Sequence, residues 1–141
     1  MPAHIHERTF RVAMAEVDVA QIHFTALHRW IDRGMSEWLA EIDHPFTRLL
    51  AEGPGVPIVN ITTRIGGRIL LDDLITQRTW IGAAGRSSFR SRHRFSRDGE
   101  VMAESELVHV CVDRVTRETL AVPEWLRGHV VDDPVQVAPR D

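Results

Sequence analysis

Between Glu16 and Thr25 the chain gathers residue types that can act on a carbonyl: Glu16-Val17-Asp18-Val19-Ala20-Gln21-Ile22-His23-Phe24-Thr25. Asp18 is a carboxylate in a short polar link, with Glu16 two residues ahead of it and a long apolar-periodic segment close behind. The first N–H groups of a helix have no intrahelical acceptor, and the helix dipole favours negative charge beside them. A carbonyl aimed at such donors is polarised as it becomes an oxyanion, and one donor is worth about 3 kcal/mol of barrier. Asp18 could attack that carbonyl carbon, or take a proton from a water that does. Phe24 lies just ahead of the expected helix start, in the zone of free amides. The competing reading is a plain loop carboxylate that satisfies free N–H groups, and the residues alone favour it.

No other stretch carries comparable chemistry. The chain has no phosphate-cradling Gly-rich loop, no HExxH and no GxSxG elbow. Eight histidines are scattered. His4 and His6 read as polar surface on a loose terminus. His23 and His28 lack the helical spacing of a ligand pair, so no metal site is expected. The single cysteine, Cys111, sits in an apolar run and cannot form an internal disulfide, which suits a reducing, cytoplasmic setting. A net charge of −3 argues against a general nucleic-acid binder. No apolar run reaches the ~20 residues of a membrane span, and MPAHIHERTF is too polar for a signal peptide.

The elements that must position Asp18 follow from periodicity. At 141 residues, 43% hydrophobic and 26% charged, the chain has the size and composition of one globular domain. Arg8 to Met14 reads as an opening strand. Leu27, Trp30, Ile31, Met35, Trp38, Leu39 and Ile42 form one stripe of a helix from Thr25, with Thr25 as its N-cap. Gly34 inside that helix implies close approach to a sheet. Pro45 to Glu52 reads as a short second helix. Alternation from Val59 to Ile65 gives a strand interrupted by Gly66 and Gly67. Asp72 and Asp73 open a strand running to Ile81. In the strand from Ser87 to Phe95, Phe89, Ser91, His93 and Phe95 share one face, and Arg90, Arg92 and Arg94 the other. Ser96 to Gly99 makes a hairpin turn. Val101 to Asp113 is the last strand, with a bulge expected at Leu107 and Val108. A short helix begins at Pro123. Residues 1–130 form the domain and 131–141 a polar, frayed tail. Helices segregated from a mostly antiparallel sheet make the α+β class, with the sheet curled around the long helix.

Several motifs, in order, carry a resemblance: Glu16-Val17-Asp18; His28-Arg29-Trp30-Ile31-Asp32; Gly55-Val56-Pro57-Ile58-Val59 leading towards Asp72-Asp73-Leu74; Gly85-Arg86-Ser87-Ser88-Phe89; Val110-Cys111-Val112-Asp113; and Pro123-Glu124-Trp125-Leu126-Arg127. Over Thr9 to Arg127 this layout resembles the hot-dog fold thioesterases of the 4-hydroxybenzoyl-CoA thioesterase type. The resemblance implies a five- or six-stranded antiparallel sheet wrapped around the long helix. It also implies homodimers, or tetramers, with sites at the subunit interface. By the same resemblance Asp18 is nucleophile or general base, the Phe24 backbone amide polarises the thioester carbonyl, and Arg86, Ser87 and Ser88 meet the CoA nucleotide.

The chain also departs from that family. The family usually has Pro or Ala followed by Ala-Gly or Gly-Gly after the aspartate, whereas Val19-Ala20-Gln21-Ile22 has no glycine to supply easy positive φ. Gln21 is a candidate to hold the water or the carbonyl. His23 lines the acyl pocket or its polar rim, and Thr25 stands beside it as a substrate contact. Arg90 is a candidate for the CoA phosphates, while Arg92 and Arg94 fit a solvated face better. The expected activity is hydrolysis of an acyl- or aroyl-CoA thioester, with no metal or redox cofactor. The alternatives are hydrolysis of acyl-carrier-protein thioesters and a non-catalytic, acyl-binding hot-dog dimer.

Overall fold

A computed structural model describes residues 2–133. Strand β1 (His6–Arg11) is followed by a 3-10 turn (Met14–Glu16), a ribbon of two short strands, β2 (Val17–Asp18) and β3 (Gln21–Ile22), and helix α1 (Phe24–Glu41). Then come α2 (Phe46–Glu52), β4 (Ile58–Ile65), β5 (Leu74–Ala84), β6 (Ser88–Arg97), β7 (Glu100–Val110) and α3 (Glu124–Arg127). Five strands form one antiparallel sheet in the order β1-β5-β6-β7-β4.

The helical stripe is the face that packs. Leu27, Trp30, Ile31, Gly34, Met35, Trp38 and Leu39 are all buried, against Ile75 and Phe95 near the helix start and Ile81, Phe89 and Cys111 near its end. Gly34 is required there: a Cβ would lie 2.4 Å from both Gln77 Nε2 and Thr79 Oγ1. On β6 the four predicted core-face residues are buried and the arginines point outward. Asp98 and Gly99, both at positive φ, form the two-residue turn between Arg97 and Glu100.

Several boundaries differ from expectation. β1 runs from His6 to Arg11 because the chain turns at Met14, and His4 and His6 are tied down, not loose: His4 Nε2 and His6 Nδ1 donate to the two Glu41 oxygens at 2.6 and 2.7 Å. Asp72 and Asp73 precede β5, Asp73 accepting from the Leu70 amide and from Arg97. The register shifts fall at Val59, Gly82 and Met102, not at Leu107 and Val108. Gly66 and Gly67 end β4, both amides donating to the Met102 carbonyl. The tail starts docked: Val131 N–H donates to Ile81, Arg92 to Asp132 and Arg94 to Asp133. Positions 134–141 of the expected tail lie outside the described residues. α1 packs chiefly over β1, β5 and β6, which leaves β4 open along its whole length.

Candidate active site

Asp18 sits on a ribbon held from below. Asp18 pairs with Gln21 and Val17 with Ile22. The His23 amide donates to the Glu16 carbonyl at 2.8 Å, the Leu71 amide to Ala20 at 2.9 Å, and the Ile22 amide to Ile69 at 2.9 Å. The Glu16 carboxylate accepts from the Ala13 amide (2.8 Å) and from Trp30 Nε1 (2.6 Å), which locks the ribbon onto the core. Between the strands Val19 adopts φ +69°, and the Ala20 amide closes a γ-turn on the Asp18 carbonyl at 3.0 Å. The link therefore reaches positive φ without glycine, at a cost on the order of 1–3 kcal/mol for a non-glycine residue. Asp18 is exposed, and its carboxylate has no hydrogen bond or ion pair among the described residues.

Helix α1 begins at Phe24, one residue earlier than expected, and its N-cap is His23, not Thr25. His23 Nδ1 accepts from the Thr25 amide at 3.3 Å and from Thr25 Oγ1 at 2.9 Å. Histidine is outside the usual set of capping residues, so propensity alone could not have found it. The Ala26 amide donates to the His23 carbonyl, which leaves the Phe24 amide as the first donor of α1 without an acceptor among the described residues. The His23 ring is spent on capping and on stacking with the Phe24 ring (4.7 Å, 28°), and it does not line the apolar cavity. Gln21 Oε1 accepts from Arg68 Nε at 3.4 Å.

One turn down α1, the helix face bearing Phe24 continues into a cavity of about 230 Å³. Ile31, Met35, Ile58, Ile61 and Leu107 supply apolar wall, and His28, Asp32 and His109 are its ionisable members. It lies where α1 leaves β7 and β4 uncovered. His109 is the end of a buried chain of hydrogen bonds with one direction. The Val56 carbonyl can only accept, so His109 Nδ1 carries the proton (3.3 Å) and Nε2 must accept from Ser91 Oγ–H (2.8 Å). Ser91 in turn accepts from His93 Nε2–H (3.0 Å), and His93 Nδ1 accepts from Thr79 Oγ1–H (2.9 Å). Burial, with His109 nearby, pushes His93 down to about 3, and burial pushes His109 down to about 4 despite the Val56 bond, so both rings are neutral. Sequence reasoning placed Ser91 and His93 on one face but missed His109 and the Glu16–Trp30 bond, which only strand register and the ribbon's fold reveal.

The candidate CoA residues lie elsewhere. Arg86 and Ser87 lie in the β5–β6 hairpin loop, and Ser88 opens β6. Backbone bonds fix the loop, from Gly85 to Ser88, from Cys111 to Ser87 and from Val122 to Arg86, and Arg127 donates to the Gly85 carbonyl. Arg86 is exposed. Arg90 is on the outer sheet face, paired with Glu106 at 2.6 Å, and Arg92 shares the same carboxylate. Asp18 is at the other end of the sheet, where β5 begins, and β5 climbs roughly 30 Å between those ends. One chain brings Asp18, Gln21, His23, Phe24 and Thr25 together but does not bring them to Arg86, Ser87, Ser88 or Arg90. Among the described residues no group of three or more His, Cys, Asp or Glu side chains is placed to hold a metal ion. No helix among them is long and apolar enough to cross a membrane.

A family model for the Thioesterase-like superfamily matches residues 12–130. The structure is similar to that of a gentisyl-coenzyme A thioesterase, at 24% identity and TM-score 0.75 over 86% of this chain and 99% of that one. It is also similar to a 1,4-dihydroxy-2-naphthoyl-CoA thioesterase from Synechocystis, at 16% identity and TM-score 0.80 over 93% and 100% of the two chains. A third similar structure is the 4-hydroxybenzoyl CoA thioesterase from Pseudomonas sp. strain CBS-3, at 21% identity and TM-score 0.76 over 89% and 99%. No curated protein sequence matches significantly. These likenesses establish the hot-dog fold for the curled sheet and long helix.

Proposed function

The chain belongs to the Thioesterase-like superfamily, and from that premise we propose that it hydrolyses an acyl- or aroyl-CoA thioester to the free acid and CoA. The observation that carries this reading is the Phe24 amide at the head of α1, unpaired among the described residues, beside the ribbon that presents the Asp18 carboxylate, likewise unpaired among them. The thioester carbonyl oxygen takes the Phe24 N–H, and the dipole of an 18-residue helix adds to the stabilisation of the oxyanion. With Asp18 as general base, a water gives its proton to the carboxylate while its oxygen bonds to the carbonyl carbon. Collapse of the tetrahedral intermediate breaks the C–S bond, and the departing CoA sulfur takes the proton from Asp18. With Asp18 as nucleophile, its oxygen bonds to the carbon first, the C–S bond breaks and CoA leaves as the thiolate, protonated from solvent, and water then hydrolyses the mixed anhydride to the free acid and the Asp18 carboxylate. Neither route uses a metal or redox cofactor.

The cavity supports the aroyl branch. Engineered apolar cavities of about 150 Å³ take up benzene, so about 230 Å³ accommodates one ring with a small substituent. The three similar structures described above are named for aroyl-CoA substrates. The distance of Arg86 from Asp18 supports a homodimer: a second copy paired antiparallel along β4 brings its own β5–β6 loop to the Asp18 end of the first. Edge strand β4 is exposed throughout, with Ile58, Val59, Ile61 and Ile65 all open. In this reading the protein is a cytoplasmic homodimer, with Arg86, Ser87 and Ser88 holding the CoA nucleotide. A panel of acyl- and aroyl-CoA thioesters, assayed beside the same acyl groups on a carrier protein, tests it. Hydrolysis of a CoA thioester that falls at least 100-fold in Asp18→Asn supports the reading. Substantial activity left in that variant removes Asp18 from the mechanism, and turnover of carrier-bound substrates alone moves the thiol carrier to the protein.

A further inference from the structure

We propose that Val19 is the positioning residue for Asp18, holding the carboxylate in one direction through a strained γ-turn. The inference rests on the catalytic reading of Asp18. Among the described residues five non-glycine positions have positive φ: Val19, Asp43, Asp72, Asp98 and Arg117. Three are aspartates, a type that tolerates this region, and Val19 alone is β-branched, the type for which it is a genuine outlier. Burial within its own chain does not explain the choice, because Val19 is 97% exposed there. Three local rules are broken at one residue: a branched side chain at positive φ, an apolar side chain that its own chain leaves uncovered, and a turn without glycine. The residue is the immediate neighbour of the carboxylate that has no structural partner.

The surroundings show how the strain persists. The feet of the turn are fixed by the Asp18–Gln21 pair, by Leu71 N–H on the Ala20 carbonyl, by the bridge from Gln21 to Leu70 and by Glu16, itself bonded to Ala13, Trp30 and His23. Relaxing Val19 to negative φ breaks several of these bonds. Valine also removes alternatives that glycine would allow: its χ1 has few wells, and its positive-φ region is narrow. The same feet joined through glycine are compatible with many turns and many headings of the Asp18 Cα–Cβ bond. A shift of about 1 Å in a catalytic group costs on the order of 100-fold in rate, so a narrow heading is worth a loss of stability.

Val19→Gly and Val19→Asn test this, with kcat, KM, melting temperature and 15N relaxation measured on each. Asn tolerates positive φ yet stays more restricted than Gly. The expected kcat order is Val, then Asn, then Gly, with a fall of about 10-fold in Val19→Gly and KM within 2-fold. Val19→Asn should melt about 2–4 °C higher as the strain is released. The order parameter of the Asp18 amide should drop from the rigid value near 0.85 towards 0.6 in Val19→Gly, while α1 is unchanged. A kcat within 2-fold of the parent in Val19→Gly, or an unchanged Asp18 order parameter, overturns the proposal. If the parent hydrolyses no thioester the catalytic reading fails separately, and the relaxation data still decide whether Val19 fixes Asp18.

Discussion

In the chain from Thr79 through His93 and Ser91 to His109, all four ring nitrogens have partners and almost no surface meets solvent. In the ribbon from Val17 to His23 the two short strands are tied to each other, to Glu16 and to Ile69 and Leu71, yet among the described residues the Asp18 carboxylate and the Phe24 amide that follows have no partner. Both regions hold ionisable groups at fixed positions. One uses every donor and acceptor to make a core that is polar and rigid; the other keeps two back. Buried polar groups that are fully satisfied stiffen a fold, and groups kept unsatisfied at the surface of a rigid frame are available to a ligand.

The largest expected effect separates the two regions directly. Asp18→Asn should lower kcat by 100- to 1,000-fold, about 3–4 kcal/mol, while the melting temperature moves by less than about 1 °C; calorimetry beside the thioester assay checks both. A large loss of stability would mean that the ribbon is as structural as the core. The next effect belongs to the core. His93 and His109 have folded pKa values of about 3 and about 4, below the ordinary 6.5, so the unfolded chain binds the additional protons in acid. The stability they carry is intact above about pH 6.5 and drains away as pH falls through that value towards 4 and then 3. Urea unfolding at a series of pH values should show that slope, and His109→Leu should flatten it by about one proton.

Gly34→Ala should cost about 1–3 kcal/mol, because its Cβ collides with Gln77 and Thr79, and Thr79 is the first donor of the histidine chain. Denaturant unfolding measures it. Glu16→Gln should cost about 1 kcal/mol of stability, since one of the donors Ala13 N–H and Trp30 Nε1–H must then face an amide NH₂. If the frame of the ribbon serves catalysis, kcat in Glu16→Gln falls several-fold with KM unchanged; an unaltered kcat would show that the ribbon tolerates slack.

Much of the fold was legible because it rests on period. The stripe from Leu27 to Leu39, the alternation of Phe89 to Phe95 with the arginines, the Asp98-Gly99 turn and the need for Gly34 to meet the sheet all follow from spacing and residue type. What was hidden depends on register and on local exceptions. A bulge expected from adjacent Leu107 and Val108 is placed at Val59, Gly82 and Met102, because bulges depend on how neighbouring strands fit. The separation of Arg86 from Asp18 is a matter of which end of a sheet each loop joins. His109 meets Ser91 only through the pairing of β6 with β7. At Val19 the residue type argued against the conformation that the bonded frame imposes, so no propensity could have announced it.

The bond between Trp30 Nε1 and Glu16 has a practical consequence. The chain has four tryptophans and no tyrosine, so indoles dominate its near-ultraviolet absorption and its fluorescence. Trp30 is the indole that touches the Asp18 ribbon, and its ring is gripped between Phe10 (4.8 Å) and Phe95 (5.6 Å), which removes motion of its own. The charge 2.6 Å from its nitrogen is therefore the variable part of its surroundings. A slackened ribbon changes the colour and asymmetry of that chromophore, and the difference between the parent spectrum and that of Trp30→Phe is an optical gauge of the loop in the unlabelled protein.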